Sequence, residues 1–215
     1  MPVMKVNEIF YSIQGESSFM GWPCTFIRLT ACDLRCSYCD TEYAFFEGKE
    51  MSLSEILAAV SSYPTKLVLV TGGEPMLQNQ VQDLFRALLD AGYTVCVETG
   101  GHVPLHGLDP RVHKIMDLKC PSSGMHQHNC YENIQHLTRN DEVKFVVGNR
   151  EDFDWACDVI VRFGLPSRVG VVLFSPVYQV LAYSDLARWV MECGLPVRMQ
   201  LQLHKIIWPD VVRGV

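Results

Sequence analysis

Short apolar runs rich in β-branched residues recur along the chain at 25–29, 66–70, 94–97, 114–118, 143–147, 169–174 and 197–203. Stretches with helical spacing of apolar positions fall between several of them, at 52–62, 80–91, 152–163 and 184–193. Most runs are close to continuously apolar, as strands are when both faces of a parallel sheet are covered. Strands alternating with helices predict βα units. Helix punctuation agrees. Ser52-Leu53-Ser54-Glu55 has the form of a capping box, in which serine and glutamate satisfy two free N–H groups at a helix start. Gly92 and Gly194 stand where helices stop. The stretch 100–110 is rich in Gly, Pro and His and lacks helical period, so one crossover is predicted to be a loop.

The chain has 215 residues. A closed eight-stranded βα barrel typically takes about 250. These units therefore predict an open, partial TIM-like α/β barrel of roughly six or seven strands, with fewer helices than strands. Residues 1–215 read as one domain, with an N-terminal extension at 1–22, a core at 23–205 and a tail at 206–215. No internal repeat or linker interrupts it.

Composition narrows the class. Nine cysteines cannot all pair within one chain. Met1-Pro2-Val3-Met4-Lys5 leads into polar–apolar alternation, not an apolar leader. A cytoplasmic protein with reduced thiols is expected. No apolar run approaches the roughly 18 residues that cross a bilayer, so no membrane partner is expected. A net charge of −6 argues against general nucleic-acid binding, which needs a basic surface.

Polar groups and glycines collect just after the apolar runs, where parallel α/β folds place ligands. After the first run comes Cys32-Asp33-Leu34-Arg35-Cys36-Ser37-Tyr38-Cys39. After the second comes Thr71-Gly72-Gly73-Glu74-Pro75, and after the third Glu98-Thr99-Gly100-Gly101. Lys119 with Cys120-Pro121-Ser122-Ser123-Gly124 follows the fourth, Ser175-Pro176 the sixth, and His204-Lys205 the seventh. Cysteines 32, 36 and 39 share one helical face and could be core residues. A structural zinc would want a fourth ligand, and a closed Fe–S site four thiolates. Three thiolates leave one iron of a cubane open to another ligand. Glycines after a strand let backbone approach a neighbour closely, and Glu74 can accept hydrogen bonds from an ammonium group.

A C-x3-C-x2-C triplet with an aromatic residue before its last cysteine, followed by Gly-Gly-Glu, resembles the radical S-adenosylmethionine superfamily. The resemblance implies a 4Fe–4S cluster on Cys32, Cys36 and Cys39, with the methionine end of S-adenosylmethionine on the open iron. It implies that the cofactor, cleaved by one electron, yields a 5′-deoxyadenosyl radical. Cofactor contacts are implied for Tyr38, Cys39, Asp40, Gly73, Glu74, Lys119 and Ser175.

Further motifs narrow the resemblance. Gln14-Gly15-Glu16, Gly21-Trp22-Pro23, Cys39-Asp40-Thr41, Gly72-Gly73-Glu74-Pro75, Glu98-Thr99-Gly100-Gly101 and the late His204-Lys205 together resemble the 7-carboxy-7-deazaguanine synthase family, over nearly the whole chain. That family rearranges 6-carboxy-5,6,7,8-tetrahydropterin to 7-carboxy-7-deazaguanine with loss of ammonia, leading to queuosine and other deazapurines. The radical takes hydrogen from pterin C6, the ring contracts, and the cofactor is regenerated. The resemblance implies that Ile13, Gln14 and Gly15 line the pterin largely through backbone groups. Arg28 grips its carboxylate. Thr41 ligates Mg2+, a hard cation that takes oxygen ligands. Thr71, Thr99, Gly100 and His204 complete the substrate pocket. It also implies a flavodoxin-like reductant and a homodimer. Alternatives stand beside these roles: an ion pair for Arg28, a helix cap for Asp40-Thr41, and a structural place on a strand for His204. The other cysteines, 24, 96, 120, 130, 157 and 193, are read as packing or loop residues. Two other functions compete: a glycyl-radical activating enzyme, with similar cysteine and glycine motifs, and a zinc module without catalysis.

Overall fold

The computed structural model describes residues 3–215. Met1 and Pro2, part of the predicted extension and leader reading, lie outside the described residues. Among the described residues nine strands form one sheet: β1 (Val3–Ile13), β2 (Pro23–Leu29), β3 (Lys49–Ser52), β4 (Leu67–Gly72), β5 (Thr94–Thr99), β6 (His113–Asp117), β7 (Glu142–Val147), β8 (Val171–Pro176) and β9 (Arg198–Met199). The helices are α1 (Leu53–Ser61), α2 (Val81–Asp90), α3 (Arg150–Phe163), α4 (Leu165–Arg168), α5 (Tyr183–Glu192) and α6 (Leu203–Ile207). The order across the sheet is β3-β1-β2-β4-β5-β6-β7-β8-β9. Neighbours from β2 to β9 run parallel. β1 is antiparallel to both β2 and β3. The outer strands β3 and β9 do not meet, so the barrel is open.

The parallel strands and four main helices fall where the apolar pattern predicts. Ser52 makes the full capping box with Glu55 at the start of α1. Loops and 3-10 turns, rather than α-helices, carry the chain from β5 to β6 and from β6 to β7. The sheet has nine strands rather than the six or seven expected, because β1 and the short β3 (Lys49–Ser52) add to the parallel set, and two parts differ further from the sequence reading. Much of the supposed extension is β1, an edge-proximal strand whose Met4 and Val6 are buried while Val3 and Lys5 are exposed. The last predicted strand shrinks to Arg198–Met199. The Gln200 N–H still bonds to Phe174 O at 2.9 Å, but the Leu203 N–H bonds to Gly15 O at 3.0 Å. That second bond turns the chain off the sheet, so His204 stands on α6 and not on a strand.

Side chains alternate across each strand. One set (Ile27, Leu29, Val68, Val70, Val95, Val97, Val143, Phe145) packs outward in the main core shared with the helices. Fully burying each such side chain contributes roughly 1.5–3 kcal/mol. The other set points inward. Near the strand starts it is apolar: Phe26, Leu69, Cys96 and Ile115 pack with Phe10, Cys24 and Phe19. Two residues further along the same strands, the positions become Arg28, Thr71, Glu98 and Asp117, all facing a cavity. All nine cysteines are free; Cys24, Cys96 and Cys120 are buried, the last in the main core.

The loop between β1 and β2 closes the end where the parallel strands start. The Ser18 N–H donates to Glu142 Oε1 at 2.9 Å, and the Ser17 N–H to Gln200 Oε1 at 2.8 Å. Phe19 meets His113 edge-on at 5.1 Å. No helix of the described residues is long and apolar enough to cross a membrane.

At the opposite end, two glycines bind the strand ends together. Gly72 has φ +137°, and a Cβ there would stand 2.1 Å from Leu29 O; one on Gly73 would stand 2.0 Å from Ala31 O. Their smallness therefore serves backbone-on-backbone packing between β4 and the segment that opens the cysteine loop. Gly72→Ala is expected to lower stability by roughly 2 kcal/mol or more, from the unfavourable φ and the clash together. Chemical denaturation of the purified variant checks this, and an unchanged midpoint would contradict the packing argument.

Candidate active site

A cavity of about 520 Å³ opens at the C-terminal ends of the parallel strands. Its inner wall is the polar rung above the apolar plug, and its outer wall is the cysteine loop. Cys32, Cys36 and Cys39 all line it, with Tyr38 between the last two.

The cysteine loop is tied on several sides. Ala31, at φ +83°, starts it in the left-handed region, a costly conformation for alanine. Bonds from the Ala31 N–H to Ala44 O (3.0 Å) and from the Glu74 N–H to Ala31 O (2.7 Å) hold that turn. The Ser37 N–H donates to Ser123 O at 3.0 Å, and its hydroxyl to Ser122 O at 2.7 Å. The Tyr38 hydroxyl reaches across to Val146 O at 3.3 Å. Arg35 lies over the Phe45 ring at 4.2 Å and donates to the Cys32 carbonyl at 2.7 Å. Burial pushes the Cys32 thiol up to about 11. It raises Cys36 as well, against the pull of Lys119. Such thiols lose their protons when a metal takes them, so ligation and deprotonation are coupled.

The donor set fits a cluster. Three free thiols, Cys32, Cys36 and Cys39, line one wall of one cavity, and thiolates are the ligands an iron–sulfur cluster takes.

Glu74 sits beside the triplet and is 1% exposed. Its carboxylate accepts from the Thr99 hydroxyl (2.8 Å), the Gly100 N–H (2.7 Å) and the Met76 N–H (3.0 Å). Burial raises its pKa against those donors. Thr99 and Gly100 are thus bound to Glu74 from one side and face the cavity from the other. The Gly73 N–H is spent on Leu29 O at 3.1 Å.

The inner wall is a chain of buried charges. Lys144 Nζ donates to Glu16 Oε2 at 2.8 Å and lies 3.9 Å from Glu98 Oε1. Glu16 also accepts from Gln200 and Gln202 at 3.2 and 3.1 Å. Burial works to raise both carboxyls. Lys144 outweighs it at Glu16, whose pKa falls below the usual value, while Glu98 stays raised with Glu16 as a neighbouring negative charge. The Thr71 hydroxyl donates to Glu98 at 2.9 Å. Lys119 pairs with Asp117 at 2.8 Å. Burial opposes its charge, but Asp117 and Cys36 hold its pKa above the usual value. Arg28 donates through Nε to Glu8 at 2.7 Å, with its side chain 13% exposed. Its other two nitrogens have no protein hydrogen bond among the described residues, so one guanidinium edge remains for a ligand.

Most residues singled out in the sequence meet here: Ile13, Gln14, Arg28, Thr41, Thr71, Thr99, Gly100, Lys119 and His204 all line the cavity. Gly15 and Ser175 do not. Gly15 lies behind His204, whose Nδ1 would be 2.1 Å from a Cβ placed there. Ser175 is buried on β8 beside Val146, which does line the cavity. The expectation of backbone contacts from Gln14 also changes. Its N–H donates to Trp22 O and its carbonyl accepts from Gly21, both at 2.8 Å. The group with no partner is its buried side-chain Nε2. Thr41 occupies the cap position of the 3-10 turn Glu42–Phe45 but makes no side-chain cap bond. Asp40 pairs with Lys205. Burial lowers the pKa of His204, favouring neutral imidazole. Sequence reasoning passed over Glu16, Glu98, His102, Asp117 and Lys144 as site residues. A charge on the inward parity of an apolar strand was the available signal for the last two.

An open parallel barrel with a cysteine-lined mouth has a counterpart among known families. Residues 26–178 match the family model described as the Radical SAM superfamily, and the chain carries that superfamily's iron–sulfur and S-adenosylmethionine chemistry. A 7-carboxy-7-deazaguanine synthase from Chlorobaculum tepidum is 47% identical over 99% of this chain and 97% of its own length. Another, from Koribacter versatilis, is 43% identical over 99% of this chain and 100% of its length. The chain belongs to the 7-carboxy-7-deazaguanine synthase family. The crystal structure of QueE from Escherichia coli has the same fold, with a TM-score of 0.76, 22% identity, and coverage of 94% of this chain and 95% of that one.

Glu16, with its pKa below the unfolded value, contributes stability that is full above about pH 4.3 and lost as pH falls through the folded value. Lys144→Met removes the counter-charge and leaves two buried carboxylates, whose folded pKa values then rise. It is expected to cost about 3–5 kcal/mol at neutral pH, as breaking a buried pair does. The variant should regain more stability than wild type between pH 7 and 5, because its native state takes up protons there. Denaturation across that range checks the sign, and equal pH profiles would contradict it.

Proposed function

We propose that this chain converts 6-carboxy-5,6,7,8-tetrahydropterin to 7-carboxy-7-deazaguanine with release of ammonia. The observation that carries this reading is one cavity that joins a three-cysteine wall to an arginine with a spare guanidinium edge. Cys32, Cys36 and Cys39 hold the 4Fe–4S cluster, and Tyr38, Asp40, Gly73, Glu74 and Lys119 surround S-adenosylmethionine. When bound, the cluster and cofactor supply the radical that takes hydrogen from pterin C6. Gly73 offers its carbonyl, since its N–H is spent. Lys119, beside Cys36, offsets thiolate charge.

Arg28 takes the substrate carboxylate in a planar, bidentate contact, and Glu8 fixes the orientation of its guanidinium. The Gln14 side chain supplies a donor toward the heterocycle, where its Nε2 has no protein partner. Thr41, beside Cys39, is the oxygen ligand for Mg2+. Loss of ammonia needs a proton at the departing nitrogen. Glu98, a cavity carboxyl whose pKa burial raises, is suited to hold one. Neutral His204 closes the pocket against Gly15. A flavodoxin-like reductant, a homodimer and a cytoplasmic setting accompany this reading as family expectations, the last in keeping with nine free thiols.

Two measurements test the reading. The reconstituted protein, incubated anaerobically with the carboxytetrahydropterin, S-adenosylmethionine and a reductant, should form a deazapurine visible by mass spectrometry. Cofactor cleavage without that product would favour a glycyl-radical activating enzyme, and colourless protein with stoichiometric zinc a metal module. Cys36→Ala should abolish iron–sulfur absorption and turnover together. Arg28→Lys should weaken substrate binding by roughly 10- to 100-fold, the cost of losing a charge-assisted bidentate contact, with iron content unchanged. An unaltered dissociation constant would remove Arg28 from the carboxylate site.

A further inference from the structure

The corner of the cavity beside Cys32 contains an imidazole with one committed nitrogen and one free. His102 has a side chain 8% exposed, and its Nε2 lies 2.6 Å from Asp33 Oδ1. Its Nδ1 is buried without a hydrogen-bond partner among the described residues. A carboxylate only accepts, so Nε2 carries a proton, and in the neutral ring Nδ1 then presents a lone pair.

That lone pair is next to a second acceptor. Glu74 Oε2 lies 3.7 Å from His102 Nδ1, too far for a hydrogen bond and close enough for one donor to serve both. Oε2 takes the Gly100 N–H at 2.7 Å and retains further acceptor capacity. Gly73 lies close by, where a Cβ would be 3.0 Å from that of Cys32. His102 and Glu74 both line the cavity. Leaving a buried acceptor unmatched costs free energy. A group with two hydrogen-bond donors would match both acceptors, and an α-amino group is one such group. An amine that also ligates iron keeps two N–H bonds, one for each acceptor.

We propose that His102 is a further binding residue for S-adenosylmethionine, accepting one N–H of its α-amino group while Glu74 accepts the other. The assignment rests on the cofactor reading given above. His102 links two parts of the site: Nε2 fixes the imidazole to the cysteine loop through Asp33, and Nδ1 meets the cofactor that the same loop's cluster must approach.

Two substitutions separate the nitrogens. The amide of asparagine falls near the place of Nδ1, and that of glutamine near the place of Nε2. His102→Gln keeps the tie to Asp33 and loses the acceptor toward the cofactor. His102→Asn keeps the acceptor and loses the tie. The measurements are the cofactor dissociation constant of cluster-loaded enzyme at matched iron content, and the change in the electron paramagnetic resonance spectrum of the reduced cluster on cofactor addition. His102→Gln is expected to weaken binding by about tenfold, as leaving a buried donor without its acceptor does, and to alter the spectral change. His102→Asn should bind within a few-fold of wild type. A cofactor analogue lacking the α-amino group should bind wild type and His102→Gln alike. The reverse order, with Asn impaired and Gln intact, would make His102 only a clamp on the loop and overturn the assignment. So would equal binding by all three proteins, or an equal loss with the analogue. Cluster-loaded wild type that binds no cofactor would overturn the cofactor reading itself, and the assignment with it.

Discussion

Lys144 points into the barrel from β7, and its ammonium must be neutralised there. The partner comes from the far side of the sheet: Glu16, in the loop after β1, at 2.8 Å. Much of the site's geometry follows from that contact. It draws the loop across the open barrel, where Glu16 also gathers Gln200 and Gln202. Gly15 then receives the Leu203 N–H, which sets the start of α6 and the position of His204. Strand pairing does not close this barrel, since β3 and β9 stay apart. A buried polar lock spans the gap. Such pairs contribute little net stability against an apolar replacement, so the lock is better understood as fixing where the lining stands.

The same inward parity explains why the barrel is half filled and half hollow. Phe26, Leu69, Cys96 and Ile115 plug one end, and the next inward residues, Arg28, Thr71, Glu98 and Asp117, open the other. Two residues along a strand are roughly 6.5 Å, so the change from core to site takes one step of the pleat. Above this rung the glycine pair presses β4 against the cysteine loop. The cysteine wall and the Glu74 corner are thereby packed together, although they lie more than 30 residues apart in sequence.

What the sequence disclosed follows from the same division. Outward positions such as Val68, Val70, Val95 and Val97 read clearly as strands because helices cover them. The cysteine triplet and Gly-Gly-Glu were legible as spacing. β1 was obscured because one of its faces is exposed, and β9 because bonds to Phe174 and Gly15, far away in sequence, decide where it ends. Lys144, between Val143 and Phe145, is a charge at an inward position of an apolar strand, and its meaning depends on which face of the sheet is covered. Gly15 came with the family pattern, and it stands behind His204. His102 carried no local signal. Only the fold brings it to Asp33 and Glu74.

The cations around the cavity are not equivalent. Lys119 faces Asp117, Lys144 faces Glu16, and Lys205 faces Asp40. An ammonium is a point charge, and a carboxylate at its side satisfies most of it. Arg28 differs because its charge is spread over a planar fork. Glu8 engages Nε alone, while Phe10 and Tyr43 lie about its guanidinium at 5.7 and 5.8 Å. The ion pair orients the fork and leaves an edge with two nitrogens directed elsewhere. A carboxylate entering this cavity therefore finds one cation already aimed and incompletely matched. The lysines paired with Asp117 and Glu16 resist exchange, because displacing a buried counter-ion would strand a carboxylate in low dielectric. What a carboxylate would meet in this cavity thus follows from which cation still has hydrogen bonds to give, more than from the number of cations present.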